Sequence, residues 1–227
     1  MRYNIKCEPF PIVVCNLSDG EEIITESGAM VWMSPNMEMQ TQAGGIGGFF
    51  SKTLSGEHGF TNTYVSHGKG LITLGSHFAG QIVDIDITPE KDFILQKGAF
   101  LGMESGVNMS IFFRPNLRAG IFGGEGFVMH RLSGNGKVFA EVDGSLVKYQ
   151  LEPGQQMIVS TGHVIGMDST VIMDIKTVAG LKNKLFGGYG FFNTVLTGPG
   201  VIYLQTMPIS KLARSIIPYL PRDDSKY

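Results

Sequence analysis

The chain has little charge, two cysteines and no long apolar run, and each shortage excludes a class of protein. Charged residues make up 17% of 227 residues and the formal net charge is −2, which argues against non-specific binding to DNA, RNA or anionic membranes but leaves room for a local basic patch. Cys7 and Cys15 belong to no zinc motif. No segment approaches the roughly 18 apolar residues of a transmembrane helix. The N-terminus shows no secretory leader, so we expect a cytoplasmic protein with free thiols.

The residues that are abundant indicate a β protein. Hydrophobic residues make up 43% of the chain, enough for a packed core, while the low charge content favours burial of part of the surface in an oligomer. Glycine occurs 31 times, about twice the usual share of ~7%. Because no low-complexity tract accompanies the glycines, they indicate many tight turns between short strands.

An internal repeat organises the sequence. Gly98–Ile111 and Gly162–Ile175 lie 64 positions apart and share seven of fourteen residues, and Phe122–Gly136 and Phe186–Gly200 share eight of fifteen at the same offset. A third, more divergent copy begins at Gly28, 70 positions before Gly98. The sequence therefore predicts three β units followed by a tail, with limits at 1–88, 89–152, 153–208 and 209–227.

Strand and helix signals fit this plan. Four short runs rich in β-branched residues predict strands, and Gly-containing turns bound several of them; these runs are Ile12–Val14, Leu71–Leu74, Ile82–Ile87 and Val201–Leu204. Ser18-Asp19-Gly20, Asp143-Gly144 and Glu152-Pro153-Gly154 are predicted turns. The one convincing helix is Ser210–Leu220, with Ser210 as its N-cap and an apolar stripe along one face.

Several of these segments resemble bacterial relatives of the altered-inheritance-of-mitochondria, or mitochondrial biogenesis, family. The likeness extends over residues 3–210 and is carried by Gly28–Asn36, Leu54–Glu57 with Phe60, Gly68–Gly75, Phe122–Gly126 and Leu132–Lys137. The resemblance implies a fold similar to the tryptophan-RNA-attenuation-protein-like (TRAP-like) superfamily, with three short double-stranded β-helices in tandem. It also implies a homotrimer that forms a ring of nine such units, and it implies no known activity.

Trp32 departs from the repeat, because the equivalent positions are Gly102 and Gly166. We expect this single tryptophan to fill space that the other units leave open, with an interface anchor as the alternative. The methionines at positions 33, 103 and 167, and those at 39, 109 and 173, repeat in register, which predicts core packing rather than a copper site.

The candidate binding residues lie in or beside Gly-rich loops. Glu57 and Glu125 are equivalent, Tyr189 takes their place in the third unit, and no second acid is fixed nearby for acid–base catalysis. The cations that precede or lie in the loops would form one rim of a ring and could meet RNA, an anionic lipid, another anionic ligand or an acidic protein; they are Lys52, Arg114, Arg118, Lys182 and Lys184. Turn formation and solubility are the structural alternatives for both sets.

No catalytic or metal motif is evident. The glycine clusters lack the GK[ST] of a phosphate loop, and no HxH, HExxH or GxSxG sequence occurs, although His67 and His77 flank one strand and could converge on a metal. We therefore expect no cofactor. The sequence favours a non-enzymatic, self-assembling ring scaffold or binding protein; the alternatives are a ring that binds RNA or a small ligand, and an enzyme that uses a loop carboxylate or histidine.

Overall fold

The computed structural model describes residues 1–40, 61–112, 128–177 and 192–220, and most of these residues lie in antiparallel strands. Within them no helix is long and apolar enough to cross a membrane. The strands, in chain order, are β1 (Arg2–Lys6), β2 (Ile12–Leu17), β3 (Glu22–Glu26), β4 (Met30–Met33), β5 (Met37–Gln40), β6 (Thr61–Ser66), β7 (Gly70–Gly75), β8 (Gly80–Ile87), β9 (Phe93–Gln96), β10 (Phe100–Glu104), β11 (Val107–Ile111), β12 (Met129–Gly134), β13 (Gly136–Asp143), β14 (Leu146–Leu151), β15 (Gln156–Ser160), β16 (Val164–Asp168), β17 (Ile172–Thr177), β18 (Phe192–Thr197) and β19 (Gly200–Gln205).

The predicted all-β class is confirmed, as are the four predicted strand runs, which lie in β2, β7, β8 and β19. The three predicted turns place Gly20, Gly144 and Gly154 at φ of 73°, 76° and 78°. A residue with a Cβ is strained in that left-handed region, so glycine is what lets these turns reverse the chain. Cys7 and Cys15 are free thiols, one exposed and one buried.

The strands form four sheets whose order repeats. The two six-stranded sheets have the orders β5-β6-β3-β10-β13-β8 and β11-β12-β9-β16-β19-β14. The two smaller sheets are β1-β2-β7-β4 and β15-β18-β17. Each six-stranded sheet therefore combines strands from two successive sequence units, and the units are joined by β3–β10 and β9–β16 pairing.

A bulge recurs at one position of the repeat. The register of β4 shifts between Met30 and Trp32, that of β10 between Phe100 and Gly102, and that of β16 between Val164 and Gly166. The glycines suit close packing at the two internal junctions: a Cβ built on Gly102 would lie 3.3 Å from the Ile24 carbonyl oxygen, and one on Gly166 would lie 2.7 Å from that of Ile94. A bulge adds one residue locally and re-aims the side chains beside it.

The core consists of three apolar clusters, and side chains from one unit complete the cluster of the unit before it. Leu101 on β10 packs with Val13, Ile23 and other buried residues of the first unit. Ile165 on β16 packs with Phe93, Leu95 and other residues of the second. Successive units are therefore held together by buried apolar contact as well as by strand pairing.

The C-terminal helix differs from the prediction at its start. Helix α1 spans Ile209–Ile216 with Pro208 at the N-cap, so the prediction of Ser210 as the capping residue is wrong. A 3₁₀ turn follows at Ile217–Tyr219. It contains Pro218, whose missing N–H and bulky ring cannot continue an α-helix, which explains why the regular helix ends there.

Candidate functional site

The loop residues predicted to bind ligands lie outside the described residues. This applies to Glu57, Glu125, Tyr189 and all five loop cations, which are Lys52, Arg114, Arg118, Lys182 and Lys184. The three Gly-rich segments fall in the same gaps of 41–60, 113–127 and 178–191. The hypotheses of RNA binding, ligand binding and loop catalysis rest on these residues and stay predictions.

The two histidines that could have shared a metal bind different carboxylates. His67 Nε2 lies 2.6 Å from Glu38 Oε2, whereas His77 Nδ1 lies 3.0 Å from Glu141 Oε1 and its Nε2 lies 3.4 Å from Glu26 Oε2. Among the described residues, no group of three or more Cys, His, Asp or Glu is placed to hold a metal ion. The possibility that His67 and His77 share a metal is therefore not supported by the described residues.

A shallow cavity of about 360 Å³ lies beside the first strands, and its carboxylate is paired with the N-terminal ammonium. Its lining includes Met1, Arg2, Glu21, Ser34 and Lys69. The Met1 ammonium donates to Glu21 Oε1 at 3.2 Å, and this bond raises the pKa of the amine. The Ser18 backbone N–H donates to the same carboxylate and lowers its pKa. The Glu21 carboxylate is therefore held by two donors, the Met1 ammonium and the Ser18 N–H.

A stronger feature is a pair of strand edges, at the two ends of the repeat, beside which the described residues place no further strand; these are called the open edges. At the internal junctions β10 pairs with β3 and β16 pairs with β9, which joins each unit to the next. The equivalent strand of the first unit, β4, ends its sheet, and β15, which is equivalent to β3 and β9, ends the last sheet. Each edge is therefore the counterpart of a strand edge that is paired elsewhere in the chain.

The β4 edge exposes residues whose equivalents are buried. Val31, Trp32 and Met33 are 52%, 49% and 37% exposed. The residues equivalent to Val31 are Leu101 and Ile165, both fully buried, and those equivalent to Met33 are Met103 and Met167, which are 3% and 0% exposed. A contiguous apolar group of this kind on a strand edge is typical of an interaction surface.

The β15 edge shows the same contrast. Ile158 is 68% exposed, whereas its equivalent Ile94 is fully buried against β16. Both ends thus expose apolar side-chain positions that are buried, or for Ile24 partly buried, where two units join. The sequence analysis gave Trp32 as an interface anchor only in the alternative and did not single out Val31, Met33 or Ile158, although the 64- and 70-residue offsets identify them as equivalents of junction residues.

The polar contacts at the junctions follow the repeat as well. In the second unit, Glu104 accepts from the Lys137 backbone N–H at 2.8 Å and lies 3.5 Å from the Met1 ammonium. In the third, Asp168 accepts from the Val201 backbone N–H at 2.9 Å and lies 3.3 Å from Lys91 Nζ. Each internal junction therefore places a carboxylate beside a cation of the preceding unit.

The equivalent polar positions at the open ends are neutral on both sides. Ser34 replaces the carboxylate, and its hydroxyl accepts from the Leu71 backbone N–H at 2.8 Å. Gln155 is the residue of the third unit that corresponds to Lys91. A joint between the two ends would thus bring the side chains of serine and glutamine near each other, where the internal junction has a carboxylate and a lysine. It would bury no unpaired charge at these two positions, and an unpaired buried charge would be costly.

The aromatic and methionine predictions hold for only part of the chain. The expectation that Trp32 fills space within its own unit is wrong, since about half of its surface is exposed. Met103, Met109, Met167 and Met173 are buried as predicted, whereas the first-unit methionines 33 and 39 are exposed. The departures are all in the first unit.

Known proteins are similar to this chain along nearly its whole length, and the matched region includes both open edges. The family described as mitochondrial biogenesis AIM24 matches residues 3–207. An uncharacterised protein of Streptococcus pyogenes serotype M6 is 31% identical over 232 residues, covering 97% of this chain and 92% of that protein. The X-ray crystal structure of a Streptococcus pyogenes protein, 28% identical, matches with a TM-score of 0.79 over 96% of this chain and 99% of that one.

Proposed function

The chain belongs to the mitochondrial biogenesis AIM24 family, and from the geometry of its open edges we propose that it is a non-enzymatic scaffold that assembles head to tail into a homotrimeric ring. Each chain contributes three units, which we propose are short TRAP-like double-stranded β-helices. The observation that carries the proposal is that β4 and β15 expose positions that are covered at the internal junctions. The equivalents of Val31 and Met33 are buried at both junctions, and those of Ile158 are fully buried at one (Ile94) and partly buried at the other (Ile24).

The internal junctions define the register of the proposed joint. Gly102 lies opposite Thr25 and Gly166 opposite Leu95, both in antiparallel pairing. The same register between copies places Trp32 opposite Val159, Met33 opposite Ile158, and Ser34 beside Met157. Joining the two small sheets in this way gives the strand order of the six-stranded sheets, with β1 as an additional edge strand.

The apolar contacts would also repeat. Because Leu101 and Ile165 enter the core of the preceding unit, Val31 would enter the third-unit core of the neighbouring copy. That core contains Val164 and Met167, and Met157 and Leu204 are partly buried against it. Burying the exposed parts of these side chains would supply the hydrophobic stabilisation that holds the joint, at about 25 cal/mol per Å².

Trp32 makes the joint between copies different from the joints within one chain. Glycine at positions 102 and 166 allows close backbone approach, whereas an indole must displace neighbouring side chains. The partner offers flexible Met157 in the place of Phe93, which packs directly against Gly166. Trp32 would then be a large anchor at the centre of the interface, the position where tryptophan contributes most to binding.

The kind of contact between the two edges limits the form that the assembly can take. The two edges are different surfaces, so the contact is heterologous and either closes into a ring or continues as a fibre. The family resemblance supports closure with three chains, a nine-unit ring of three 24.7 kDa protomers with a mass of about 74 kDa.

Light scattering on a sizing column tests this proposal. We expect wild-type protein to elute as a trimer at micromolar concentration and Ile158→Lys to elute as a monomer, since the lysine would be buried opposite Met33. Ile111→Lys is the matched control, because Ile111 is also an exposed strand isoleucine, 53% exposed, but lies on β11. A monomeric wild type, or an Ile158→Lys variant that stays trimeric, would overturn the proposed ring.

A further inference from the structure

The cavity beside the first strands carries two cationic side chains that no described residue neutralises. Arg2 and Lys69 both line this cavity of about 360 Å³. Both residues are exposed, and among the described residues neither side chain makes an ion pair or a hydrogen bond. Glu21, the one carboxylate among the described lining residues, is already held by the Met1 ammonium and the Ser18 N–H. The remaining charge of the lining is therefore positive, although the chain as a whole has a formal net charge of −2.

The strand register gathers the polar groups of the cavity at one end of a sheet. Arg2 on β1 lies opposite Asn16 on β2, and Asn16 lies opposite Leu71 on β7. Because directly opposed residues of neighbouring strands point to the same face, the side chains of Arg2 and Asn16 belong to one side of the sheet. Ser34, which directly follows β4, continues this row, since its backbone N–H donates to the Leu71 carbonyl at 2.8 Å. Lys69 lies just before β7 at the same end of the β1-β2-β7-β4 sheet.

The other two units have a carboxylate where the first unit has Ser34. Glu104 and Asp168 each accept from a backbone N–H of the strand equivalent to β7, as the Ser34 hydroxyl accepts from the Leu71 N–H. Each of these two carboxylates also lies within 3.5 Å of a cationic nitrogen. The repeat thus favours a negative charge at this position. In the first unit the position holds a neutral hydroxyl, while two cations line the cavity beside it.

We propose that this cavity binds the phosphate group of a small molecule, in the place that the carboxylates take in the other two units. Arg2 offers a planar fork of N–H donors that matches phosphate oxygens, Lys69 offers a compact positive charge, and the Asn16 amide is a neutral donor. A volume of about 360 Å³ is near the lower end of the range for small-molecule sites and corresponds to about twelve water molecules. The site therefore has room for an organic group attached to the phosphate. All of its residues belong to one chain, so it does not depend on the proposed ring.

Isothermal titration calorimetry of the full chain tests the proposal, with ribose 5-phosphate, inorganic phosphate and ribose as the three probes. We expect ribose 5-phosphate to bind and ribose not to bind, because the charged group supplies the affinity. Inorganic phosphate that binds at least as tightly as the sugar phosphate would identify the free ion as the ligand, and weaker binding of inorganic phosphate would identify a phosphorylated organic molecule. Both results support a phosphate site. Failure of both phosphates to bind, or equal binding of ribose, would overturn it.

Charge-removing variants test whether the cavity is the site. Arg2→Gln and Lys69→Gln should each weaken phosphate binding about tenfold, since each removes a charge-assisted hydrogen bond. Lys6→Gln is the matched control, because Lys6 is another exposed cation of β1 but does not line the cavity. An equal loss in all three variants would show that phosphate responds to the overall charge of the protein, and the assignment to the cavity would fail.

Ser34→Asp tests the comparison with the other units. The introduced carboxylate can accept from the Leu71 N–H, as Asp168 accepts from the equivalent N–H, and it should compete with phosphate for the cations and weaken binding at least about tenfold. Ser34→Asn, which is neutral, should bind phosphate within about threefold of wild type. Unchanged binding in Ser34→Asp would contradict the proposal. Because the site lies within one chain, its loss is expected whether or not the variant assembles, and a sizing column run on the same samples reports on the ring separately.

Discussion

At the scale of single residues, the chain places several ionisable groups where burial or a neighbour changes them. Burial raises the pKa of the Cys15 thiol to about 12. Asp143 is half-buried at the end of β13, and desolvation raises the pKa of its carboxyl, although the Ile209 backbone N–H and the charge of His77 act in the opposite direction. A carboxylate at the start of α1 thus carries a cost in stability that depends on pH.

Asp143→Asn should remove that cost while keeping an acceptor for the Ile209 N–H. A carboxyl whose pKa is raised on folding contributes most stability when it is protonated, and the contribution is lost as pH rises above the folded pKa. We therefore expect the variant to be more stable than wild type at pH 7 and the difference to vanish at low pH, as measured by urea unfolding across the pH range. Asp174→Asn, at an exposed position, controls for the change in net charge. A difference that is the same at every pH would contradict the assignment.

For Trp32, the sequence predicts the equivalent positions in the other units but not the exposure of the side chain. The repeat correctly identifies position 32 as the equivalent of Gly102 and Gly166, but a tryptophan can fill a gap inside its unit or project from it. Which of these occurs depends on whether a strand covers β4, and that is a property of the sheet order. The same reason separates the exposed methionines of the first unit from their buried equivalents.

At the scale of elements, the sequence predicted strand runs and turns well because both depend on local patterns. It could not predict that β8 pairs with β13, or that the units join through β3–β10 and β9–β16, since those partners lie far apart in the chain. The helix start was misplaced because Ser210 has the chemistry of an N-cap but lies one residue inside α1. The candidate loop residues stay untested for a different reason, namely that they lie outside the described residues.

The bulge glycine of β16 provides an element-scale prediction. A Cβ at Gly166 would meet the Phe93 ring and lie 2.7 Å from the Ile94 carbonyl oxygen, so Gly166→Ala should force β9 and β16 apart. We expect it to lower the free energy of unfolding by about 1–3 kcal/mol, the usual cost of overpacking. Gly98→Ala is the matched control, because nothing lies within 4 Å of its Cβ position, and should change stability by less than ~0.5 kcal/mol. Equal stability of the two variants in denaturant melts would show that the junction tolerates a side chain.

At the scale of the whole molecule, units that join edge to edge leave one unpaired strand edge at each end of the repeat. Natural sheets commonly protect open edges with charge, proline or a covering element. Here β1 covers the outer side of β2, whereas β4 and β15 carry apolar residues and have no described strand beside their free edges. Neutral Ser34 and Gln155, in the place of the carboxylate and cation of the Lys91–Asp168 junction, fit an end-to-end joint better than an exposed surface.

A charge pair introduced across the proposed joint tests both its existence and its register. Met33→Glu and Ile158→Lys should each give monomers, because each would bury one unpaired charge. The double variant carries both changes in every chain, so each joint would place the introduced glutamate opposite the introduced lysine of the neighbouring copy, and the trimer should return. Because the introduced contact is an ion pair that salt screens, the trimer of the double variant should dissociate at high salt more readily than the wild-type trimer. Light scattering at low and high ionic strength measures this, and a double variant that remains monomeric while each single variant is folded would show that β4 and β15 do not meet in the predicted register.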